Sequence, residues 1–342
     1  MTTGPTAGTG TPPSPRLLVC PDSFKGTFTA REAALALARG VAQGGGSAVV
    51  LPLADGGEGT AETLLDALGG RWVTARVSGP LGEEVEARSA LLADGRTAVV
   101  DVAAASGLPL VPEDRRDAER ASSRGTGQLI ARAVAQGART VLVACGGSAT
   151  TDGGYDAAQA ILEAGGLRGA ELVVLSDVTT PFEDAARVFG PQKGAAPDAV
   201  DRLTGRLHSR ADGYPRDPRG VPRTGAAGGL AGGLWAFFGA ELTSGIDRVL
   251  DAVGFDAALE GVEAVITGEG RLDEQSAHGK VVSGVLRRAA GRPVHVCAGQ
   301  VALTPDAARG LGIRSTTTAS TVADLVRAGA RIARRTAASA PG

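Results

Sequence analysis

Lysine is scarce in this 342-residue chain. Of its 35 Lys and Arg, only Lys25, Lys193 and Lys280 are lysines. Arginine is used almost everywhere else, so these three mark positions where a compact ammonium is wanted instead of a planar fork. All three lie in glycine-flanked segments. Cysteine is equally sparse: Cys20, Cys145 and Cys297 are far apart and form no C-x-x-C pair. That argues against a disulfide framework or a zinc site and fits a reducing cytoplasm. Each Cys closes a short apolar run and reads as a small buried residue at a strand end. No basic excess exists, with 35 basic against 37 acidic residues and a net charge of −2, so no nucleic-acid partner is expected. No apolar run approaches the ~18 residues of a membrane span, so no membrane partner is expected either. No basic residue precedes Arg16 and no apolar run precedes Leu17, so the expectation is that residues 1–15 are a disordered leader and not a secretory signal. Several catalytic signatures are missing. Lys280 follows Gly279, but Val281 follows Lys280, which removes a P-loop. Gly125-x-Gly127 and Gly268-x-Gly270 lack the third glycine of a dinucleotide fingerprint. H-E-x-x-H and G-x-S-x-G are absent. His208 and His295 read as structural, and His278 as the start of a helix.

What is present is apolar and glycine-rich. The apolar share is 43 % and the charged share 21 %, enough to build a sizeable core in one large or two modest domains. Short continuous apolar runs at 17–20, 48–53, 140–145, 171–175, 264–267 and 294–298 read as buried parallel strands. Helical patterns separate them: T-x-x-E at Thr29 and Glu32 is a capping box, and helices are expected near 60–68, 126–135, 278–290 and 322–335. Residues 72–102 alternate with a period near two and carry turn signals at Gly79-Pro80 and Asp94-Gly95, the pattern of antiparallel hairpins. Residues 209–228, rich in Arg, Pro, Gly and Asp, read as a surface loop. The expectation is an α/β protein of two domains. One is discontinuous, with a mostly parallel Rossmann-like sheet, over 16–71, 120–170 and 245–342. The other, over 72–119 and 171–244, is mixed or antiparallel and inserted, with the active site in the cleft.

Seven segments are glycine-rich, six of them with charge or hydroxyl as well, and several directly follow strands. They are C-P-D-S-F-K-G-T-F-T (20–29), L-A-D-G-G-E-G-T (53–60), S-R-G-T-G-Q (123–128), C-G-G-S-A-T-T-D-G-G (145–154), F-G-P-Q-K-G-A (189–195), G-A-A-G-G-L-A-G-G-L (225–234) and T-G-E-G-R-L-D-E-Q-S-A-H-G-K (267–280). Glycine lets successive N–H groups converge on an anion, and a helix start adds partial positive charge. Lys and Arg neutralise phosphate oxygens, and carboxylates hold Mg²⁺. Together they point to an anion site.

These segments, with A-A-A-S-G-L at 103–108 and S-D-V-T-T-P at 176–181, resemble the motifs of the type 1 glycerate kinase family, in order, over residues 18–300. The resemblance implies two α/β domains and ATP- and Mg²⁺-dependent phosphorylation of glycerate, leaning toward 2-phosphoglycerate. The expected substrate is D-glycerate, and the expected assembly is a monomer or homodimer. The chain departs from that family at Thr151 and Thr180, where Asn is usual. It is shorter between Gly165 and Leu175 and between Thr180 and Val188, and trimmed after Arg314.

For such a reaction Lys25 and Lys280 are the expected phosphate neutralisers, with Lys193 a third candidate. Asp22, Asp55 and Asp177 are metal-ligand or general-base candidates, with Asp55 and Asp177 assigned to Mg²⁺ and Asp22 to catalysis. Arg271 is a bidentate partner for the glycerate carboxylate or a phosphate. The expected binding set adds Ser23, Gly56, Gly57, Glu58, Ser123, Arg124, Gly125, Gly146, Gly147, Ser148, Thr150, Asp152, Gly228, Gly229, Gly268, Glu269, Gly270 and Asp273. Two alternatives stand beside this reading: a kinase of another small hydroxy acid, and a ligand-binding homologue without turnover.

Overall fold

In the computed structural model the described residues are 14–24, 26–274 and 280–339. Among them the strands are β1 (Arg16–Val19), β2 (Ser47–Val50), β3 (Gly70–Ser78), β4 (Glu84–Leu92), β5 (Thr97–Asp101), β6 (Thr140–Ala144), β7 (Glu171–Leu175), β8 (Glu241–Thr243), β9 (Ala264–Leu272), β10 (Val294–Val301) and β11 (Ile313–Thr318). They form two sheets, and the chain divides into two units. The first unit comprises Met1–Leu51, Ala257–Asp273 and Val285–Gly342; the second comprises Pro52–Asp256 and Glu274–Gly284.

The first unit carries five strands in the order β11-β10-β9-β1-β2, all parallel. Leu17, Leu18 and Val19 are wholly buried, which is why β1 reads as an unbroken apolar run: both faces are covered. The helices Ala30–Gln43 and Val322–Ser339 pack together, and Leu37, Val41, Leu325 and Ile332 join the core with β1 and β9. The Thr29–Glu32 capping box forms in both directions, so the first of these helices starts where the sequence signals it.

The second unit carries six strands in the order β3-β4-β5-β6-β7-β8. β3, β4 and β5 are antiparallel neighbours, whereas β5 through β8 are parallel. Helices Arg124–Ala135, Tyr155–Glu163 and Leu230–Phe238 supply Leu129, Ile130, Ile161, Leu230 and Leu234 to its core. A smaller cluster of Phe182, Leu203, Leu207 and Tyr214 includes residues of helix Pro197–Asp212.

All six expected strand runs are strands, and 72–102 forms the expected antiparallel hairpins. Four expectations change. Segments 52–71, 120–170, 245–256 and 274–284 belong to the second unit, not with the parallel sheet of the first; for 120–170 the reason is that β6 pairs with β5 and β7. The expected loop at 209–228 begins later, since its first residues close helix Pro197–Asp212. β9 does not end at Thr267 but runs to Leu272, paired with β10 as far as Val301. Residues 14 and 15 are tied down, as the Ser14 hydroxyl donates to the Gly45 carbonyl at 2.7 Å and Ser47 N–H to the Pro15 carbonyl at 2.8 Å. The rest of the expected leader, 1–13, lies outside the described residues. No described helix is long and apolar enough to cross a membrane. All three cysteines are buried and unpaired, and burial pushes the Cys145 and Cys297 thiols up to about 12 and Cys20 higher still.

Candidate functional site

Parallel strands gather their following loops at one sheet edge, and the charged loops of this chain use that geometry. In the second unit, Asp101 ends β5, while Cys145–Gly154 and Asp177 follow β6 and β7. Gly56 and Gly57 of loop 52–59 pack there without side chains. A Cβ on Gly56 would lie 2.6 Å from the Gly245 Cα, and one on Gly146 would lie 2.6 Å from the Gly57 Cα. The close approach of backbone to backbone explains much of the glycine expected to face a ligand. Gly228 is the sharpest case: its φ is +68°, and a Cβ there would sit 1.9 Å from the Thr150 carbonyl oxygen. Gly125 is similar, with a Cβ position 1.9 Å from the Ser78 carbonyl oxygen, and Gly229 packs on Phe182 and Gly153.

Three carboxylates hold these loops by accepting backbone N–H bonds. Asp101 accepts from Gly59 and Ala61, each at 3.0 Å, at the start of helix Thr60–Leu68. Burial, reinforced by Glu58 and Glu62, pushes its pKa to about 7 against those two bonds. Asp152 accepts from the Ser123 hydroxyl at 2.7 Å, Ser123 N–H at 2.8 Å and Gly154 N–H at 3.1 Å. Burial, with Asp156 nearby, raises its pKa as well. Asp177 accepts from the Ser244 hydroxyl at 2.8 Å and from Gly245 and Ile246 N–H at 3.0 and 3.3 Å, capping helix Gly245–Ala252. Its pKa rises to about 6, first through burial and then through repulsion by Asp55. Asp55 meanwhile accepts Gly57 N–H at 2.9 Å. Glu58 of the same loop is exposed, and its carboxylate lies 3.3 Å from the position a Cβ on Gly147 would take.

Lys193 is only 2 % exposed. Its ammonium donates to Ser148 Oγ at 2.9 Å and to the Thr150 carbonyl at 2.6 Å. Burial lowers its pKa to about 7, partly offset by Asp152 and Cys145. The Thr151 hydroxyl in the same loop is buried without a hydrogen-bond partner among the described residues. Arg124 is turned to an exposed ion pair with Glu163. Lys280 is half-buried, and its carbonyl accepts from the Ser283 hydroxyl at 2.9 Å and Gly284 N–H at 3.0 Å at the start of helix Val281–Arg288.

In the first unit, Asp22 and Ser23 follow β1. Asp22 N–H donates to the Gly268 carbonyl at 2.8 Å, and Asp22 Oδ1 accepts Ser23 N–H at 2.6 Å. The extension of β9 makes Gly268, Glu269, Gly270 and Arg271 strand residues. Glu269 is 6 % exposed, while the exposed Arg271 pairs with Asp273 at 3.2 Å. Lys25 and His278 lie outside the described residues.

Sequence reasoning passed over two residues. Asp101 was legible only as the polar end of the apolar run A-V-V-D. Arg223, in a left-handed conformation at φ 73°, donates to the Ser176 carbonyl beside Asp177, and nothing in its Pro- and Arg-rich surroundings marks it.

The carboxylates Asp55 and Asp177, close enough for one to raise the other, suit a divalent cation whose remaining ligands come from phosphate oxygens and water. Among the described residues no group of three or more His, Cys, Asp or Glu is placed to hold a metal ion. A parallel-edged α/β protein with paired carboxylates and tightly packed glycine loops is of the class that handles phosphorylated small molecules. The sequence pattern described as the glycerate kinase family matches residues 17–168 and 162–340, and the chain belongs to that family. It is 41 % identical over 321 residues to the glycerate kinase of Bacillus subtilis (strain 168), covering 82 % of this chain and 83 % of the relative. It is 40 % identical over 307 residues to the glycerate 2-kinase of Escherichia coli (strain K12), covering 79 % and 81 %. The crystal structure of a candidate glycerate kinase 2 from Salmonella typhimurium LT2 superposes with a TM-score of 0.80 at 36 % identity, covering 95 % of this chain and 98 % of that one.

Proposed function

We propose that the protein is a glycerate kinase that phosphorylates D-glycerate at the expense of ATP, giving 2-phosphoglycerate. The observation that carries this is the Asp55–Asp177 pair at the carboxyl edge of a sheet, in a chain that matches the family along its length. Asp55 and Asp177 are the residues that would hold Mg²⁺, which when bound neutralises charge on the phosphate oxygens. The chain's own groups do the rest. Asp55 keeps loop 52–59 tight through Gly57 N–H, and Asp177 fixes the start of helix Gly245–Ala252. Lys193 supports the Gly146–Asp152 loop from behind through Ser148 and Thr150, and is better suited to shaping that loop than to touching a phosphate. Lys25 and Lys280 are assigned to transition-state charge. Asp22 is the carboxylate to take the hydroxyl proton, and Arg271 the guanidinium for the glycerate carboxylate. Positioning and charge neutralisation suffice, because the loose phosphoryl transition state needs little covalent help.

The test is a coupled ADP-release assay with MgATP and D-glycerate, with L-glycerate and no-acceptor controls and phosphorus NMR of the product. Acceptor-dependent ADP with a single 2-phosphoglycerate signal is expected. A 3-phosphoglycerate signal would overturn the regiochemistry, and turnover with other hydroxy acids but not glycerate would overturn the substrate.

A further inference from the structure

At the amino ends of β9, β10 and β11, the edge of the first unit's sheet away from Asp22, lies an open hollow of about 1240 Å³. Its walls come from the turn before β9, the turn before β10, the start of β11 and the last turn of helix Val322–Ser339. Four guanidiniums line it: Arg292, Arg309, Arg314 and Arg335. Glu263 is the one carboxylate among the lining residues, and Asp306 answers Arg309 in an ion pair. Counting both carboxylates leaves a formal excess of two positive charges at one concavity. Helix ends account for part of this, since Arg309 and Arg335 sit near C-terminal carbonyls that favour cations. They do not account for Arg292 and Arg314, which lie outside helices. The Arg292 Nε is fixed by the Val262 carbonyl at 2.9 Å, which holds its planar fork in place.

The lining also offers a buried polar pair. His295 is 8 % exposed, and its Nδ1 lies 2.7 Å from Ser315 Oγ. Burial and the facing Arg314 of β11 and Arg335 of helix Val322–Ser339 hold the imidazole down at about 4, so it stays uncharged at neutral pH. Glu263 is held by the Arg16 N–H at 3.3 Å.

We propose that this hollow is a second anion site, separate from the Asp55–Asp177 region, that takes a small organic molecule carrying more than one phosphate group. The arginine fork matches phosphate geometry bidentately. The volume is far above what a three-carbon acid fills and exceeds the ~300–1,000 Å³ of most small-molecule sites, so the ligand occupies part of an open hollow.

The test reads the site locally and uses no turnover, so its failure leaves the kinase reading untouched. With only three histidines in the chain, the His295 imidazole is followed by NMR and assigned by loss of its signal in His295→Asn. The probe is inorganic tripolyphosphate at low salt, with citrate as the carboxylate arm. In the wild type, saturating tripolyphosphate raises the His295 titration midpoint by about one pH unit or more, because an anion offsets the two arginines. The Arg314→Glu/Arg335→Glu variant alters exposed side chains only and should abolish the probe-dependent change. His295 signals that ignore millimolar tripolyphosphate, or respond equally in that variant, overturn the proposal. An equal response to citrate overturns the assignment to phosphate.

Discussion

The two units put their charged loops at the carboxyl edges of their sheets but carry opposite charge. The first unit has fourteen Lys and Arg against eight Asp and Glu, a formal +6; the second has 21 against 29, a formal −8. In the acidic unit, loops are fixed from below: Asp101, Asp152 and Asp177 accept backbone N–H groups, and the buried Lys193 holds the Gly146–Asp152 loop at Ser148 and Thr150. In the basic unit, order at 268–272 comes from the strand itself, with β9 and β10 running on together past the point where the apolar run stops. A near-neutral total therefore hides a division of labour. Carboxylates hold the loops of one unit, and in the two proposals above they would also hold a cation while the guanidiniums of the other unit draw in an anion.

Four experiments break or sharpen that contrast. The largest effect is expected at Gly228→Val, which forces a side chain onto the Thr150 carbonyl at a left-handed φ. Urea unfolding should show a loss of about 3 kcal/mol or more. Gly312, also left-handed at φ +86° but in open space, should tolerate Ala at a cost nearer 1 kcal/mol. Equal losses would remove the claim that the acidic unit's loops are the more tightly packed.

Next is Asp177→Asn. It retains an acceptor for the helix cap but removes the charge, and should lower kcat by about 100-fold while raising the Mg²⁺ concentration needed for half-maximal rate. Wild-type Mg²⁺ dependence in a folded variant would reduce Asp177 to a cap.

Lys193→Met should cost about 2 kcal/mol by leaving the Ser148 hydroxyl and Thr150 carbonyl without their donor. The wild type has a pH signature as well. Lys193 falls to about 7 in the fold from 10.5, so between those values the unfolded chain binds the extra proton and stability rises with pH. Denaturation at pH 7 and pH 9 should show that rise in the wild type and lose it in the variant. Asp101, raised to about 7, acts in the opposite sense below neutrality: its contribution falls as pH climbs from about 4 to 7.

The smallest effect is expected at Arg124→Ala. Its partner Glu163 is exposed, so Tm should stay within about 2 °C. An increase in KM would show that the guanidinium leaves Glu163 to meet substrate, and an unchanged KM would remove Arg124 from the binding set.

Much of this was visible in the sequence, for local reasons. Leu17–Val19 and Val141–Val143 are apolar because both faces of their sheets are covered, and Thr29–Glu32 signals its helix within four residues. Which sheet a strand joins is not a local property. β6 reads no differently from β1, and only its pairing with β5 and β7 moves 120–170 into the second unit. The strand end at Leu272 was hidden because β9 continues through Gly-Glu-Gly-Arg, residues that favour loops and are held extended by β10. At the site, the carboxylates were found as types but not as caps. Asp177 was legible after its strand, whereas its hydrogen bonds to Ser244 and Gly245, nearly seventy residues away, were not.

The three buried thiols have a practical consequence. With Cys145 and Cys297 near 12, the thiolate fraction at neutral pH is on the order of one in 10⁵. Cys20, shielded further, is less reactive still. Toward alkylating reagents, peroxide or a disulfide exchange partner, the native protein should behave as though it had no sulfhydryl. Labelling with iodoacetamide therefore counts unfolded molecules alone, giving an intrinsic gauge of its global opening.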